Sequence, residues 1–315
     1  MNVVILAGGL SHERDVSIRS GRRVWESLLD TGVEAVVRDI DANLLAQWHI
    51  EPPTVVVPML HGAAGEDGAL RDVLESLNIS YVGSTAAACR MAFDKPIAKA
   101  IVAAAGIHTP VAVALPHSTF RELGADAVIG AVVNHVGLPL IVKPTKGGSS
   151  LGVTVVNEQR ELASALIGAF AYGDVVLIEH FVDGLEVAVS VLDLGNGPEA
   201  LPAVEIQPAD GAYDYTARYT AGTTSFFAPA RLSDTQAAAV AEVAVNAHIA
   251  LGLRDLSRSD LIIDADGTVW FLEVNVAPGM TETSLFPLAA QAAGRSLGSV
   301  MQELVTAAAR RTVTT

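Results

Sequence analysis

Residues 258–281 read RSDLIIDADGTVWFLEVNVAPGMT and predict two antiparallel strands joined by a tight turn at 264–267. Pairing the strands as a hairpin brings the side chains of Asp260 and Glu273 side by side. Two carboxylates and the amide oxygen of Asn275 form an all-oxygen set of ligands suited to Mg²⁺ that bridges phosphates. A hairpin with two solvated acids is the alternative. It is disfavoured because Glu273 lies inside an apolar strand, where an unpaired carboxylate is costly.

The turn after this hairpin, residues 276–281, contains a glycine next to a proline. The backbone N–H of Gly279 and the guanidinium of Arg258 can together stabilise negative charge that develops on an oxygen atom. The hairpin and its turn are therefore the strongest candidate for a reactive site in the sequence.

A glycine loop flanked by lysines lies at residues 143–152, KPTKGGSSLG. Glycines let the backbone approach a ligand closely, so the N–H groups around Gly148 can surround phosphate oxygens. The loop lacks the closing Gly-Lys-Ser/Thr of a Walker A motif, and it does not open a helix as a dinucleotide-binding turn does. A simple β-hairpin turn therefore stays open as the alternative.

Composition and periodicity predict an α/β protein. Half of the 315 residues are apolar but only 5% are aromatic, a balance typical of buried parallel strands between alanine-rich helices. The N-terminal third alternates apolar runs with helical periods, which predicts a wound parallel sheet. We expect three domains, 1–91, 92–182 with the glycine loop, and 183–315 with the hairpin and a long covering loop at 208–224.

Individual elements follow from the same patterns. The apolar runs predict strands at 3–7, 35–37, 54–58, 111–114, 140–144, 153–156, 175–181, 187–194, 203–207, 261–263 and 269–274. Helical periods predict helices at 16–29, 70–77, 95–105, 160–171, 236–250 and 297–309.

Charge and cysteine content limit the partners and the compartment. With 20 basic and 35 acidic side chains the net charge is −15, which repels nucleic acid and anionic lipid, although a few converging lysines can still bind a small polyanion. The single cysteine, Cys89, excludes an intramolecular disulfide and fits a cytoplasmic location. Residues 1–10 are interpreted as a first strand, and no apolar stretch approaches the roughly 20 residues of a membrane-spanning helix.

Six motifs occur in order over nearly the whole chain. They are GGLSHERDVS at 8–17, the loop at 61–68, KP with GSSLG within 143–152, YDY with RY within 213–219, RSD at 258–260 and LEVNVAPGMT at 272–281. Together they resemble the D-alanine:D-alanine ligases of the ATP-grasp superfamily. The resemblance implies an N-terminal wound parallel-sheet (pre-ATP-grasp) domain followed by a two-lobed ATP-grasp fold.

The resemblance also implies an activity. The carboxylate of one D-alanine attacks the γ-phosphate of ATP, and the amine of a second D-alanine then displaces phosphate to give the dipeptide used for peptidoglycan. We expect ATP as the nucleotide and two Mg²⁺ ions as the metal cofactor, or Mn²⁺ in place of Mg²⁺. Members of the family are commonly homodimers, so the resemblance implies a homodimer. The charge, the hydropathy and the single cysteine predict a cytoplasmic protein without a nucleic acid or membrane partner.

Residue roles are implied in the same way. The residues implied to bind the nucleotide are Lys95, Lys143, Gly148, Glu179, Glu186 and Arg218. The implied metal ligands are Asp260, Glu273 and Asn275. The amino acids are implied to meet Glu13, Ser149 and Tyr219, which form a hydrogen-bonded triad, together with His61, Arg258, Gly279 and Ser284.

Three of these residues have simpler interpretations that stay open. The pattern around Lys95 also fits a helix residue exposed to solvent, and His61 also fits a buried histidine whose ring nitrogens are hydrogen-bonded within the core. Glu13 is also suited to stabilising the start of the helix that follows it, and both roles can coexist.

Three positions depart from the family pattern. Arg218 replaces a usual lysine and presents a planar fork in place of a point charge. Val276 replaces a common threonine beside Asn275, and His180 replaces a common lysine beside the nucleotide residue Glu179. Tyr219 matches the members that form the amide product.

Other functions are weighed against this one. An ATP-grasp ligase acting on another amino acid or dipeptide would share the phosphate and metal residues. The start VILAGG at 4–9 also resembles sugar nucleotidyltransferases, but that class does not explain the turn at 276–281. A catalytically silent nucleotide sensor is disfavoured because Arg258, Asp260 and Glu273 are all present.

Overall fold

The computed structural model describes residues 1–148, 150–208 and 224–311, which contain three β-sheets. The first sheet is parallel throughout, in the order β2-β1-β3-β4, and confirms the predicted wound sheet. Its strands are β1 (Val3–Leu6), β2 (Ala35–Arg38), β3 (Val55–Pro58) and β4 (Ser80–Tyr81). Its helices are α1 (Arg14–Asp30), α2 (Leu44–Ile50), α3 (Ala63–Glu66) and α4 (Ala69–Ser76). Both β1 and β3 are buried along their whole length, as expected for central strands covered on two faces.

The second sheet is antiparallel, in the order β5-β8-β6-β7. Its strands are β5 (Ala112–Pro116), β6 (Leu140–Pro144), β7 (Thr154–Val156) and β8 (Val175–His180). The helices before and within it are α5 (Ala86–Phe93), α6 (Lys95–Ala104), α7 (His117–Leu123), α8 (Ala125–Val136) and α9 (Leu162–Phe170), with a 3₁₀ turn at Gln159–Glu161. Helix α6 begins at Lys95 because Asp94 caps its N terminus and a proline occupies its first turn.

The third sheet has six strands in the order β12-β11-β9-β13-β14, with β10 paired to β9. Its strands are β9 (Leu185–Asp193), β10 (Pro198–Ala200), β11 (Val204–Pro208), β12 (Thr224–Phe227), β13 (Asp255–Ile263) and β14 (Val269–Asn275). Its helices are α10 (Asp234–Ala250), α11 (Leu285–Ala292) and α12 (Leu297–Arg310). A capping box formed by Ser233 and Gln236 fixes the start of α10.

The C-terminal helix packs against the N-terminal part of the chain. Met301 and Leu304 of α12 share one hydrophobic core with Val24 and Leu28 of α1, and all four are fully buried. Residues close to the two ends of the sequence therefore stabilise each other. The limits of the three domains stay a prediction.

The structure contains several elements that the sequence patterns did not predict. Helices α2, α3, α5 and α11 and strands β4, β10 and β12 lie where no element was assigned. No element was assigned between 115 and 139, where α7 and α8 lie. The strand predicted at 261–263 begins six residues earlier, at Asp255, because the polar residues of β13 are buried between β9 and β14 and carry no apolar signal. Among the helices within 1–148, 150–208 and 224–311, none combines the length and apolarity needed to cross a lipid bilayer.

Candidate active site

A cleft of about 1080 Å³ is lined by residues from all three sheets and their loops. Eight of the residues singled out in the sequence lie in its wall, namely Glu13, Lys95, Lys143, Gly148, Glu179, Glu186, Asp260 and Glu273. His61, Arg258, Asn275, Gly279 and Ser284 lie outside this wall. Ser149, Arg218 and Tyr219 fall outside the described residues, as do residues 209–223 of the predicted covering loop.

The hairpin of β13 and β14 places four polar side chains on one face. Asp260 is directly opposite Glu273, and Arg258 is directly opposite Asn275. Alternate residues of a strand share a face, so these four side chains project to the same side. The register shifts just beyond Asp260, and such a bulge changes the direction of the strand beside a site.

Asp260 and Glu273 each contact a cationic side chain. Arg258 donates two hydrogen bonds to the Asp260 carboxylate, from Nε at 2.7 Å and from Nη2 at 2.8 Å. The Lys95 ammonium lies 3.3 Å from Oε2 of Glu273. Arg258, Asp260 and Lys95 are buried, so these charges interact in an environment poor in water.

The donor chemistry of this hairpin fits a divalent cation such as Mg²⁺. Asp260 and Glu273 supply carboxylate oxygens from adjacent strands, and hard cations of this kind prefer oxygen ligands. Over the described ranges no three His, Cys, Asp or Glu side chains gather to hold a metal. An amide oxygen is a further ligand of the kind that such cations accept. Asn275 carries one, and its Oδ1 accepts a hydrogen bond from Ala277 N–H at 2.7 Å. Its role as a metal ligand stays a prediction.

Glu179 and two lysines form a buried cluster, of which Glu179 and Lys143 line the cleft. The Lys99 ammonium lies 2.8 Å from Oε2 of Glu179, and the Lys143 ammonium contacts Oε1. Burial alone would raise the pKa of Glu179, but the two ammonium groups outweigh it and hold that pKa below its usual value. Burial lowers the pKa of Lys99 to about 8, although Glu179 opposes the shift. A contact of Glu179 with adenine stays a prediction, since both oxygens already meet lysines.

Lys95 links the glycine loop to the hairpin. Besides its contact with Glu273, its ammonium donates a hydrogen bond to Gly147 O at 2.7 Å, and its backbone N–H donates to Thr145 O at 3.0 Å. Lys95 is therefore no solvated helix residue, because its side chain is buried between these groups.

Glu13 faces the glycine loop from the N-terminal sheet. A Cβ placed on Gly148 would lie 3.6 Å from Oε1 of Glu13, and a Cβ on Gly62 would lie 3.1 Å from Oε2. The Glu13 carboxylate therefore lies between two glycines of different loops, and it precedes helix α1, which begins at Arg14.

The turn after β14 brings Gly279 and Ser284 together. Ser284 Oγ accepts a hydrogen bond from Thr281 N–H at 3.0 Å and lies 2.8 Å from Thr281 Oγ1. A Cβ on Gly279 would come within 2.8 Å of Ser284 Oγ, so this turn has no room for a larger residue. His61 is buried nearby, with Nδ1 3.0 Å from Ala277 O, and its contact with a substrate stays a prediction.

Sequence reasoning missed two buried ionisable groups beside the cleft. Lys99 follows Lys95 by four residues on α6, a spacing that places both on one helix face and could have identified it. Glu66 accepts a hydrogen bond from Gly62 N–H at 2.7 Å, and burial raises its pKa to about 8, with Glu13 acting in the same direction.

Comparisons with known proteins identify relatives of this chain. A family model described as "D-ala D-ala ligase C-terminus" matches residues 101–306. The chain is 40% identical over 307 residues to D-alanine–D-alanine ligase of Anaeromyxobacter sp. (strain K), covering 98% of this chain and 96% of that protein. It is also 40% identical over 307 residues to the D-alanine–D-alanine ligase of Bordetella petrii, and this match covers 98% of this chain and 92% of that protein.

Two solved structures share the fold over nearly their whole length. One is VanG D-Ala:D-Ser ligase from Enterococcus faecalis, with a TM-score of 0.84, 27% identity, and coverage of 98% of this chain and 99% of that one. The other is D-alanine–D-alanine ligase from Bacillus anthracis complexed with ATP, with a TM-score of 0.82, 28% identity and 98% coverage of both chains. The resemblance inferred from the motifs is thus confirmed, and this chain belongs to the D-alanine–D-alanine ligase family of ATP-grasp fold.

Proposed function

We propose that this chain joins two D-alanine molecules to D-alanyl-D-alanine at the expense of ATP, for the synthesis of peptidoglycan precursors. The observation that carries the proposal is the cleft in which Glu13, the glycine loop, Lys143 and the pair Asp260 and Glu273 lie together. The named relatives at 40% identity and the ATP complex of the Bacillus anthracis enzyme support the same reaction.

In the first step a carboxylate oxygen of one D-alanine attacks the γ-phosphorus of ATP. The bond from that phosphorus to the bridging oxygen of ADP breaks, which gives an acyl phosphate and ADP. Lys143 and Lys95 would neutralise phosphate oxygens, and both are held in place by acids, Glu179 and Glu273. Glu13 would bind the ammonium of this D-alanine at the mouth of the glycine loop, with Ser149 and Tyr219 as its partners.

In the second step the neutral amine of another D-alanine attacks the acyl carbon. A tetrahedral intermediate forms and the amine gives up a proton. Collapse of the intermediate breaks the bond from the acyl carbon to the phosphate oxygen, which releases hydrogen phosphate and leaves the new peptide bond. Arg258 and the N–H of Gly279 would stabilise the oxyanion of that intermediate, and Ser284 would bind the second carboxylate. The short separation of Gly279 from Ser284 supports these adjacent roles.

The nucleotide and the metal would both bind in this cleft. Glu179 and Glu186 would face the adenosine, Gly148 and Arg218 the phosphates, and Asp260, Glu273 and Asn275 would hold the cation. When bound, Mg²⁺ or Mn²⁺, as two ions in the family pattern, would offset the negative charge of the phosphates.

We further propose a cytoplasmic homodimer whose ligands are small molecules. The single cysteine supports a reducing compartment, and the net charge of −15 supports small ligands over nucleic acid or anionic membranes. Sedimentation of the purified chain tests the dimer, since a monomer at micromolar concentration would contradict it.

A second amino acid other than D-alanine is the alternative. The observation that favours it is the high structural similarity to a D-Ala:D-Ser ligase. Residues 209–223, which include Arg218 and Tyr219, lie outside the described residues, so the choice of the second substrate is left to measurement.

A coupled phosphate-release assay tests the proposal. Purified protein, ATP and Mg²⁺ are mixed with D-alanine alone, with D-alanine plus D-serine or D-lactate, and with L-alanine, and the products are identified by mass spectrometry. We expect D-alanyl-D-alanine as the main product and no phosphate release with L-alanine. Turnover with another pair but none with D-alanine would reject the substrate assignment, and absence of ATP turnover with every pair would reject the ligase.

A further inference from the structure

Ser20 on helix α1 contacts the turn that follows β14, although 260 residues separate the two segments. Its Oγ accepts a hydrogen bond from the backbone N–H of Met280 at 3.0 Å. The same Oγ lies 3.3 Å from Nε2 of His61. Ser20 and Met280 are fully buried and His61 nearly so, which means that water does not replace these bonds.

The donors and acceptors of this chain of hydrogen bonds can be assigned. Nδ1 of His61 lies 3.0 Å from the carbonyl oxygen of Ala277, which can only accept, so Nδ1 carries the proton and donates. In the neutral imidazole Nε2 is then an acceptor, and the Ser20 hydroxyl donates to it while accepting from Met280 N–H. Burial lowers the pKa of His61, which agrees with the neutral ring, although Glu13 opposes the shift.

This series of hydrogen bonds begins and ends on the turn that follows β14. Ala277 O is bound by His61, and Met280 N–H is bound by Ser20, so Pro278 and Gly279 are held from both sides. Arg23, one turn after Ser20 on α1, donates to Met280 O at 3.2 Å and also to Thr281 O. Helix α1 therefore holds both polar groups of the Met280 backbone.

We infer that Ser20 is a positioning residue, which acts through Met280 and His61 to fix the turn that presents the Gly279 N–H. This inference rests on the proposed function, in which that N–H binds the oxyanion. An oxyanion donor stabilises a transition state only if it is held near the right place before reaction. Here the donor lies in the turn after β14 of the third sheet, while the groups that hold it lie on helix α1 and in the loop after β3 of the N-terminal sheet.

Removal of the Ser20 hydroxyl has a defined consequence. It leaves Met280 N–H and Nε2 of His61 buried without a partner, which frees the turn to move. A displacement of about 1 Å at a reacting group can lower a rate about 100-fold. The loss should appear in the step where the second amino acid reacts and should leave ATP binding unchanged. Within the part of the chain that the structure describes, the Ser20 hydroxyl bonds to Met280 N–H and to His61, and neither residue is assigned to the nucleotide.

The test compares Ser20→Ala with Ser17→Ala. Ser17 is one turn earlier on α1 and equally buried, but its hydroxyl accepts from Gly8 N–H at 2.8 Å and donates to Met59 O at 2.7 Å, away from the turn. We expect Ser20→Ala to lower kcat by about 10- to 100-fold and to raise KM for the second amino acid, with KM for ATP within about twofold of the wild type. Ser20→Thr, which keeps the hydroxyl, should recover most of kcat.

Amide hydrogen exchange at Met280 supplies a measurement that does not depend on catalysis. We expect faster exchange of this amide in Ser20→Ala but not in Ser17→Ala, and nitrogen NMR of the wild type should show His61 protonated on Nδ1. Equal kinetic losses in both alanine variants, or unchanged exchange at Met280 in Ser20→Ala, would overturn the inference. If the wild type released no phosphate with D-alanine, the proposed function would fail, while the exchange data would still decide whether Ser20 holds the turn.

Discussion

Asp260 on β13 lies directly opposite Glu273 on β14, and a separate cation contacts each carboxylate. Arg258 binds Asp260 from the same strand, whereas Lys95 reaches Glu273 from helix α6. Two acids side by side repel each other unless positive charge offsets them. The two cations therefore allow a pair of carboxylates to stand on one face of the hairpin, where a divalent ion would replace part of that compensation.

The first prediction concerns this pair. Glu273→Gln removes one charged oxygen ligand and keeps the shape of the side chain, so we expect kcat at millimolar Mg²⁺ to fall by about 100-fold or more. A titration of Mg²⁺ in the phosphate-release assay should show half-maximal activity at a higher Mg²⁺ concentration than in the wild type. Asp266→Asn, an exposed acid on the turn of the same hairpin, is the control and should keep the wild-type titration. A normal kcat for Glu273→Gln at ordinary Mg²⁺ would refute the metal assignment.

The second prediction concerns the buried cluster of Glu179, Lys99 and Lys143. Glu179→Gln leaves the ammonium groups of Lys99 and Lys143 without their acid, and an uncompensated buried charge costs about 3–5 kcal/mol. We expect a lower free energy of unfolding in urea and a raised KM for ATP. Glu205→Gln is the matched control, because Glu205 is equally buried but pairs with the half-exposed Arg231 outside the cleft. A KM for ATP that rises equally in both variants would contradict a local role for Glu179.

The third prediction concerns the loop that carries Glu13. Asp39, just after β2, accepts a hydrogen bond from Gly9 N–H at 2.9 Å and binds Arg14, which in turn donates to Gly9 O at 2.7 Å. We expect Asp39→Ala to raise KM for the first D-alanine about fivefold, equivalent to about 1 kcal/mol, without changing KM for ATP. Glu26→Gln breaks only an exposed pair with Arg22 on α1 and should change neither constant. Unchanged D-alanine kinetics in Asp39→Ala would show that the loop needs no such support.

The fourth prediction concerns acid stability. His248 is buried against Ser257, with Nδ1 2.8 Å from its hydroxyl, and burial lowers its pKa to about 4. The pKa of a histidine in an unfolded chain is about 6.5, so the unfolded chain takes up the proton at a higher pH than the folded protein does. The folded protein therefore loses stability as the pH falls from about 6.5 to 4. The loss amounts to at most about 3 kcal/mol from this residue.

Urea unfolding at pH 7 and at pH 4.5 measures the effect. His248→Gln should show a smaller drop in the free energy of unfolding between the two pH values than the wild type. His135→Gln makes the same change at an exposed position and should keep the wild-type drop. Equal drops in the wild type and in His248→Gln would mean that His248 is not the residue that titrates.

Much of the fold could be predicted because its signals lie in consecutive residues. The parallel N-terminal sheet follows from apolar runs such as β1, and the hairpin of β13 and β14 follows from a turn between two such runs. The pairing of Asp260 with Glu273 is a consequence of that hairpin and was therefore available from the sequence. The polar first half of β13 was missed because burial of polar residues leaves no hydrophobic period to detect. Helix α7 was missed because it buries none of its residues, and α8 was overlooked although Val128, Ile129, Val132 and Val136 recur at helical spacing.

The sequence by itself determined the α/β class, the candidate acids and the family, because local periodicity and ordered motifs encode them. Only the tertiary structure decided which distant groups meet: Lys99 with Glu179, Ser20 with Met280, and helix α12 with helix α1. The physical reason is that such contacts depend on how helices and sheets pack in three dimensions, and packing brings together residues whose separation along the chain carries no information about their distance in space.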